Sequence, residues 1–274
     1  MELRVCCPAK VNLFLAVGPK DARNYHPLRT IFQAIDLCDT LLVRIGQGKH
    51  LVECSDPSVP ANNTVTKALR LLGEVLPLPP LHVIIDKHIP AESGLGGGSS
   101  NAAGIIRAAQ KLVGATLPFG ELKGIAEAIG MDVPFFLVGG KASAEGYGER
   151  LSPLPDSSPS WMVVARPPVG CSTPIMYGRL DERERDWNPF PSGDLLYNDF
   201  ESVAPTESVG LIQKLLQFGA NDAALTGSGS AVFGRFSTQE AAQHAAEQIE
   251  RLREAQSWVC RTLSRADSLA IETA

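Results

Sequence analysis

Long apolar runs are missing from this 274-residue sequence. None of its hydrophobic stretches approaches the roughly 18 consecutive apolar residues that a membrane-spanning helix requires. The first residues, Met-Glu-Leu-Arg-Val-Cys-Cys-Pro, also lack the apolar segment of a secretory signal peptide. We therefore expect a protein without a membrane partner that works in the cytoplasm.

Paired cysteine motifs are also missing. The six cysteines form no CxxC pair and no spacing typical of metal ligands. A chain of 274 residues is far larger than a small disulfide-stapled scaffold. The sequence therefore predicts reduced, buried thiols.

An excess of positive charge is absent, since 25 Lys and Arg stand against 30 Asp and Glu, for a formal net charge of −5. The electrostatic field of a negatively charged protein repels nucleic acid, so we expect no nucleic-acid partner. Any acidic ligand must be held by positively charged or hydrogen-bonding groups at its own site. The 44% of hydrophobic residues are enough for a core in one large or two modest domains.

Apolar periodicity predicts a mixed α/β chain with antiparallel strand pairing. Strands are predicted at 3–6, 11–17, 30–35, 41–45, 81–86, 161–165, 231–236 and 258–263, and helices at 65–76, 102–113, 121–129, 211–218 and after 240. The Pro- and Ser-rich segment 151–160 predicts a boundary between domains 1–155 and 156–274. The charged segment 181–194 predicts an exposed loop.

The most informative segment is the glycine-rich loop between a predicted strand and a predicted helix. It runs Pro90-Ala-Glu-Ser-Gly94-Leu95-Gly96-Gly97-Gly98-Ser99-Ser100. It matches neither the Walker loop, which needs a lysine after its glycines, nor the dinucleotide fingerprint. Glycines permit close backbone approach, and the free N–H groups of a helix start attract anions, so the loop predicts phosphate binding. The alternative is a structural loop that lets a helix pack tightly on a strand.

Lys10 and Asp132 are the candidate reacting pair. Lys10 begins a predicted strand, and Asp132 lies between a helix end and the apolar Val-Pro-Phe-Phe. A carboxylate at the edge of an apolar region stays ionised when a cation lies beside it, and such a pair can orient a hydroxyl for phosphoryl transfer. The alternative is an ordinary cap and a surface lysine.

Further candidates come from both halves of the chain. A second glycine loop, Thr226-Gly227-Ser228-Gly229-Ser230, precedes a strand and could close over phosphates. Tyr25-His26 in one half and Thr173 to Tyr177 in the other could enclose a flat base between aromatic rings. A surface turn is the alternative for Tyr25-His26.

Three ordered motifs, Pro8–Asn12, Pro90–Ser100 and Leu225–Ser230, resemble those of the GHMP kinases, the family of galactokinase, homoserine kinase and the mevalonate kinases. The Tyr-His loop, Asp132-Val-Pro-Phe-Phe, Thr173-Pro174 and 198–201 are similar to members that phosphorylate a cytidine diphosphate-linked methylerythritol in non-mevalonate isoprenoid synthesis. The resemblance implies ATP-dependent phosphorylation of the 2-hydroxyl of that compound. Another small-alcohol kinase and a catalytically silent nucleotide-binding protein remain alternatives.

The resemblance also implies a fold and roles. The fold would be α/β in two layers, with an N-terminal domain like the second domain of ribosomal protein S5 and a C-terminal ferredoxin-like domain. ATP and Mg²⁺ would be the cofactors, with the metal ligands unassigned, and the chain would be a monomer or weak homodimer. Lys10 and Asp132 would be catalytic. ATP would contact Asn63, Pro90, Gly94, Leu95, Gly96, Gly97, Gly98, Ser99, Ser100, Gly227, Ser228 and Gly229; the acceptor would contact Asn12, Tyr25, His26, Thr173 and Tyr177.

Two positions depart from the pattern of the resembling members. Asn24 stands where glycine usually precedes Tyr-His, and Met131 stands where a small residue usually precedes the aspartate. Asparagine tolerates left-handed backbone better than most residues, so the first departure is mild.

Overall fold

The computed structural model describes residues 2–273, which contain twelve strands and eight helices. The strands are β1 (Glu2–Val17), β2 (Leu28–Ile45), β3 (Leu51–Cys54), β4 (Leu81–Asp86), β5 (Lys141–Glu145), β6 (Arg150–Pro153), β7 (Trp161–Arg166), β8 (Tyr197–Asn198), β9 (Asp222–Leu225), β10 (Val232–Phe236), β11 (Gln256–Arg261) and β12 (Ile271–Thr273). The helices are α1 (Thr64–Gly73), α2 (Gly97–Val113), α3 (Phe119–Ile129), α4 (Val133–Val138), α5 (Thr173–Asp181), α6 (Thr206–Gln217), α7 (Gln239–Leu252) and α8 (Arg265–Ser268).

The predicted strands 3–6 and 11–17 form a single strand, β1, and 30–35 and 41–45 merge in the same way into β2. Pro8 lies inside β1, opposite Cys38, and the pairing register shifts between Pro8 and Ala9. Proline has no N–H to donate, and a bulge is one of the places where a strand tolerates it. The irregular pairing therefore keeps the strand continuous, and the prediction of two separate strands was wrong.

The first sheet has eight strands. Its order is β12-β1-β2-β4-β3, with β5 beside β2, β6 beside β5, and β8 parallel to β1. Helices α1 to α4 pack on this sheet around a core that includes Leu41, Leu69, Ile105 and Phe135. The sheet and these helices place the glycine-rich loop, between β4 and α2, beside Lys10 in the middle of β1, where the Lys10 N–H donates to the Leu95 carbonyl at 2.9 Å.

The second sheet has four antiparallel strands in the order β11-β7-β10-β9. Its chain order, a strand, helices, two strands, a helix and a strand, is the ferredoxin-like arrangement. The expected two-layer α/β fold is confirmed.

A shared apolar layer joins the two sheets. Val11 and Ile35 of the first sheet pack there with Met162, Val164 and Phe233 of the second. The chain also returns to the first sheet, because β8 and β12 both pair with β1. The division at residue 155 stays a prediction about domains, and the two sheets are held together by apolar packing and strand pairing.

All six cysteines are free thiols; Cys7, Cys171 and Cys260 are buried and the other three are half-buried. Across residues 2–273, no helix is long and apolar enough to cross a membrane.

Candidate active site

The glycine-rich loop leads directly into helix α2. Gly96 is the N-cap, with a left-handed backbone at φ 76° and ψ 16°, and across residues 2–273 no side chain caps this end of the helix. The backbone N–H groups of the first turn are therefore left open to a ligand rather than bonded to a capping side chain. Because these groups carry partial positive charge, the helix start suits a phosphate.

Two glycines of this loop leave no room for a side chain. A Cβ on Gly94, at φ +81°, would lie 2.4 Å from the carbonyl oxygen of Thr226 in the second glycine loop. A Cβ on Gly96 would lie 2.9 Å from the Phe136 ring and 3.2 Å from Cγ of Lys10. The glycines thus bring the two loops and the middle of β1 into direct contact.

A cavity of about 420 Å³ opens at the start of α2. The predicted ATP contacts that line it are Asn63, Pro90, Gly94, Gly96, Gly97, Gly98 and Ser99. Leu95 instead lies in the apolar layer between the sheets, and Ser100 is fully buried, its hydroxyl without a partner among residues 2–273. The structure therefore gathers most of the predicted nucleotide residues around one cavity.

Asn63 uses its side chain to begin helix α1. Its Oδ1 accepts from the backbone N–H of Val65 at 2.9 Å and of Thr66 at 3.2 Å, and its Nδ2 donates to the Pro60 carbonyl at 3.1 Å. This is the N-cap role in which asparagine is favoured. Asn63 borders the cavity, but its amide is already bonded within the protein.

Lys10 and Asp132 meet beside the glycine-rich loop. Lys10 Nζ lies 3.7 Å from Asp132 Oδ2, and the exposed side-chain fractions are 4% for the lysine and 37% for the aspartate. Burial lowers the pKa of the Lys10 ammonium, and the nearby Asp132 carboxylate acts in the opposite direction. The pair therefore couples a buried cation to a carboxylate that solvent and a substrate can reach.

Asn12 links this pair to the second glycine loop. Lys10 Nζ donates to Asn12 Oδ1 at 2.7 Å, and the Gly227 N–H donates to the same oxygen at 2.9 Å. Asn12 Nδ2 donates to Thr30 Oγ1 at 2.8 Å, which fixes the orientation of the amide. Asn12 thus positions the ammonium and the loop together.

A second cavity, of about 180 Å³, surrounds the Lys10–Asp132 pair and shares Gly94 and Gly96 with the first. The predicted site residues that line it are Lys10, Asn12, Gly94, Gly96, Asp132, Thr173, Tyr177, Gly227 and Ser228. Thr173 Oγ1 and Ser228 Oγ lie 3.0 Å apart across its edge. Gly229 is absent from both linings within residues 2–273, and its N–H donates to Thr226.

The aromatic residues are arranged differently from a simple pair of facing tyrosines. Tyr25 is 65% exposed, and its ring centroid lies 5.7 Å from that of Tyr147. The Tyr177 ring stacks on His26 at 5.1 Å, and Phe200 meets Tyr177 edge-on at 4.9 Å. Burial, followed by the charge of Asp132, raises the pKa of Tyr177 to about 12, so its phenol stays neutral.

His26 is held by groups from both halves of the chain. Its Nδ1 lies 2.8 Å from the Gly18 carbonyl oxygen, and its Nε2 lies 3.1 Å from Asp181 Oδ1. Sequence reasoning missed Asp181, because a carboxylate at the end of an unpredicted helix gives no motif. It also missed Thr30, because a hydroxyl within a predicted strand gives no motif.

The two departures from the family pattern lie at the margin of the site. Asn24 has a left-handed backbone at φ 64°, the conformation that asparagine tolerates. Met131 is exposed, and the described linings of both cavities lack it.

The chain is similar to known kinases in both of its halves. Residues 63–140 match the GHMP kinases N terminal domain, and residues 198–254 match the GHMP kinases C terminal domain. The 4-diphosphocytidyl-2-C-methyl-D-erythritol kinase of Geobacter sulfurreducens is 37% identical over 94% of this chain and 96% of its own length. That of Ralstonia nicotianae is 38% identical over 90% of both.

Solved structures give the same result. A crystal structure of 4-(cytidine 5'-diphospho)-2C-methyl-D-erythritol kinase superposes with a TM-score of 0.83 at 30% identity, covering 94% of this chain and 98% of that one. A homoserine kinase from Cytophaga hutchinsonii has a TM-score of 0.71 at 19% identity over 99% of this chain and 97% of its own, which shows a shared fold. The chain therefore belongs to the GHMP kinases, in the group of the 4-diphosphocytidyl-2-C-methyl-D-erythritol kinases.

Proposed function

We propose that this chain transfers the γ-phosphoryl group of ATP to the 2-hydroxyl of 4-diphosphocytidyl-2-C-methyl-D-erythritol, giving the 2-phosphate and ADP in the non-mevalonate isoprenoid pathway. The observation that carries the proposal is the 3.7 Å approach of Lys10 and Asp132 in a cavity that adjoins the start of α2. The relatives' names supply the acceptor, and the site supplies the groups that its phosphorylation needs.

The nucleotide is assigned to the larger cavity. Its phosphates would lie against the backbone N–H groups at Gly97, Gly98 and Ser99, where the helix start favours negative charge. Gly227 and Ser228 of the second loop border the adjoining cavity and would contact the phosphate that is transferred. This arrangement directs the γ-phosphate toward Lys10 and Asp132.

The acceptor hydroxyl is assigned to the carboxylate of Asp132. Asp132 accepts its hydrogen bond and aims the oxygen at the γ-phosphorus, while the Lys10 ammonium stabilises the charge on the transferred group. A new bond forms between the hydroxyl oxygen and phosphorus, the bond to the β-phosphate oxygen breaks, and the hydroxyl proton passes to the carboxylate. Asn12 holds Lys10 in place and lies beside the erythritol end.

The cytidine end is assigned to the Tyr-His loop and helix α5. Thr173 and Tyr177 line the smaller cavity, and His26 stacks on Tyr177. The exposed ring of Tyr25, beside Tyr147, would offer a further flat surface to a base that enters there. Aromatic surfaces from both halves of the chain would thus recognise the flat part of the acceptor.

Magnesium would be held largely by the nucleotide. Among residues 2–273 no group of three or more His, Cys, Asp or Glu side chains is placed to hold a metal ion. Mg²⁺ at kinase sites is bound by phosphate oxygens together with a few protein oxygens, and the Ser99 hydroxyl at the nucleotide cavity would supply one such oxygen. When bound, the ion neutralises phosphate charge.

We also infer the setting in which the chain works. Residues from both predicted domains, 1–155 and 156–274, line the smaller cavity, so one chain supplies a whole site. This supports a monomer or a weak homodimer. A small polar acceptor and ATP are cytoplasmic compounds, which supports a cytoplasmic location.

The decisive experiment is an ADP-release assay coupled to a reporter enzyme. It compares the cytidine-linked methylerythritol with homoserine and mevalonate at equal concentrations. We expect turnover with the cytidine compound alone, and Tyr25→Ala should raise its KM without changing the KM for ATP. Turnover with homoserine or mevalonate, or none with any acceptor, would reject the proposal.

A further inference from the structure

Cys6 and Cys38 are half-buried cysteines on neighbouring strands of the first sheet, β1 and β2. In the pairing of these strands, Thr40 lies opposite Cys6, and Cys38 lies opposite Pro8. Side chains two positions apart on a strand point to the same face of the sheet, so the two cysteines share a face. They are diagonal neighbours across the two strands, a placement in which side chains can meet.

The two thiols are in contact, because the Cys38 thiol donates a hydrogen bond to the Cys6 sulfur. This bond lowers the pKa of Cys6 and raises that of Cys38. Burial raises the pKa of Cys6, and the positive charge of Arg107 lowers it. The carboxylates of Asp36 and Glu272 raise it by less, so the pKa of Cys6 stays below that of an ordinary thiol. Cys6 is therefore the more readily ionised of the two, and the thiolate is the form that reacts.

Arg107 of helix α2 supplies positive charge beside this pair. Its guanidinium donates to the backbone carbonyl oxygens of Cys6 at 3.4 Å and of Ser268 at 3.3 Å, and its Nε has no hydrogen-bond partner among residues 2–273. Asp36, by contrast, is paired with Arg261, whose Nε lies 3.3 Å from Asp36 Oδ2. The charges around Cys6 therefore favour its anionic form.

The other cysteines lack this combination of contact and access. Cys7 points into the core, where a Cβ on Gly104 would lie 2.4 Å from its sulfur, and burial raises its pKa. Two further cysteines are buried as well. Cys54 is half-buried, but its strand, β3, is separated from β2 by β4. Within the described part of the chain, two partly accessible thiols thus meet at Cys6 and Cys38.

We propose that Cys6 and Cys38 form a reversible oxidation site, at which a hydroperoxide converts the two thiols into a disulfide between β1 and β2. Cys6 is the thiol that reacts with the oxidant, and Cys38 is the resolving thiol. The site lies outside both cavities of the proposed kinase reaction, and the inference does not depend on that reaction.

The oxidation takes two steps. The Cys6 thiolate attacks one oxygen of hydrogen peroxide, so that a sulfur–oxygen bond forms, the oxygen–oxygen bond breaks and the departing oxygen leaves as water after taking up protons. The Cys38 sulfur then attacks the Cys6 sulfur, a sulfur–sulfur bond forms, and the sulfenic hydroxyl leaves as a second water with the Cys38 proton. The two thiols lose two electrons and two hydrogens, and the peroxide is reduced to water. A dithiol reductant reverses the change by exchange.

The position of the pair gives the oxidation a consequence. The bridge closes the segment from residue 6 to residue 38, which contains Lys10 and the Tyr-His loop. The next residue, Asp39, accepts from the N–H groups of His88 and Ile89 at 2.7 Å, just before the glycine-rich loop. Formation of the disulfide also removes the sulfenic acid before a second peroxide converts it into irreversible sulfinic acid. Cys38 therefore protects the strand that carries Lys10 from permanent damage.

The test is mass spectrometry of the whole, reduced chain after brief treatment with a small excess of hydrogen peroxide. Remaining thiols are alkylated before the chain is digested. We expect the intact mass to fall by two hydrogens, two of the six thiols to escape alkylation, and the peptides of Cys6 and Cys38 to be joined. Dithiothreitol should restore the original mass.

Single substitutions separate the two roles. Cys38→Ser should leave Cys6 without a resolving thiol, so that its peptide gains oxygen instead of forming a bridge. Cys6→Ser should show neither the bridge nor rapid gain of oxygen. Cys54→Ser is the matched control, because it removes a half-buried thiol from a different strand, and it should form the bridge as the unsubstituted chain does. Circular dichroism checks that each variant is folded, and alanine replaces serine where it is not.

Three results would overturn the inference. One is a chain whose six thiols all react at similar rates. Another is a disulfide that joins a different pair of cysteines or two copies of the chain. The third is a loss of two hydrogens that persists in Cys6→Ser or Cys38→Ser at the rate of the unsubstituted chain. The readout is a mass, so failure of the proposed kinase activity would not change it.

Discussion

The buried ammonium of Lys10 is energetically unfavourable, but the proposed phosphoryl transfer uses its positive charge. Its ammonium is buried, 2.7 Å from Asn12 Oδ1, 3.7 Å from Asp132 and 5.4 Å from the centre of the Phe32 ring. Burying a charge disfavours the charged form unless it is paired and hydrogen-bonded. These contacts explain how Lys10 can stay charged where a transferred phosphoryl group needs a cation.

The first prediction concerns the carboxylate. Asp132→Asn keeps the shape of the side chain but removes its charge and its ability to take a proton. We expect kcat to fall by about 10²–10⁴-fold, the usual contribution of a positioned acid or base. Affinity for ATP, measured by calorimetry, should stay close to that of the unsubstituted chain. Near-normal turnover in this variant would contradict the assigned role.

The second prediction concerns pH. Because burial lowers the pKa of Lys10 below the ordinary 10.5, its ammonium loses its proton at a lower pH than that of an exposed lysine. The alkaline decline of kcat/KM, which reports groups of the free enzyme, should therefore have its midpoint below that value.

The matched variant for this prediction is Lys10→Arg. A guanidinium stays protonated at every accessible pH, so the residual activity should lose the alkaline decline. Circular dichroism across the same pH range separates loss of activity from unfolding. An alkaline decline that is identical in the variant would assign it to another group.

For single residues, prediction from the sequence succeeded where a motif determines the chemistry. It failed where packing determines the direction of a side chain. Lys10 and Asp132 are 122 positions apart, yet their motifs predicted a pair that the structure places at 3.7 Å. Leu95 is inside the glycine-rich motif, but its side chain packs between the sheets. A motif specifies backbone shape, and the direction of each side chain follows from neighbours that the motif does not contain.

At the scale of elements, the glycine-rich loop depends on both backbone freedom and space. Gly94→Ala should test the two together, because a Cβ there meets the Thr226 carbonyl oxygen at 2.4 Å. Gly48 is the matched control, since it also has positive φ, at +73°, and its Cβ would have nothing within 4 Å.

We expect Gly48→Ala to lower the free energy of unfolding by about 1 kcal/mol through backbone strain alone. Gly94→Ala should cost about 1–3 kcal/mol more, because the two glycine loops must move apart. It should also raise the KM for ATP, whereas Gly48→Ala should not. Urea denaturation and steady-state kinetics measure both effects, and equal effects of the two variants would show that contact between the loops is unimportant.

The predicted elements differ from the observed ones for physical reasons. Helices α1 and α2 were foreseen because apolar residues recur at helical spacing, although α2 begins five residues earlier, at Gly97 rather than 102. Helix α5 was missed because its buried residues are only Met176 and Leu180. Strand β12 has three residues and pairs with β1, a partner nearly the whole chain away, so local pattern could not predict it.

At the scale of the whole molecule, the acceptor site is built where the two sheets meet. Lys10 and Asp132 belong to the first part of the chain, and Thr173 and Tyr177 belong to helix α5 of the second. The apolar layer between the sheets holds these groups in a fixed relation. The geometry of the site is therefore a property of the complete chain.

Asp181 joins the two parts at the cytidine end. It lies at the end of α5, with Oδ1 3.1 Å from His26 Nε2 and Oδ2 2.6 Å from Lys20 Nζ, both in the loop between β1 and β2. We infer that it is a positioning residue: it holds the Tyr-His loop against Tyr177 without touching the reacting atoms.

Asp181→Asn should therefore raise the KM for the cytidine acceptor by about tenfold, the effect of one charge-assisted hydrogen bond, that from the Lys20 ammonium to Asp181. The values of kcat and the KM for ATP should stay unchanged, because Asp181 lines neither cavity and contacts neither Lys10 nor Asp132. Asp181→Glu should restore part of the affinity, and Asp186→Asn, in the same charged segment, should have no effect. A fall in kcat without a change in the acceptor's KM would mean that Asp181 serves general stability, because loss of folded protein lowers the rate at every acceptor concentration.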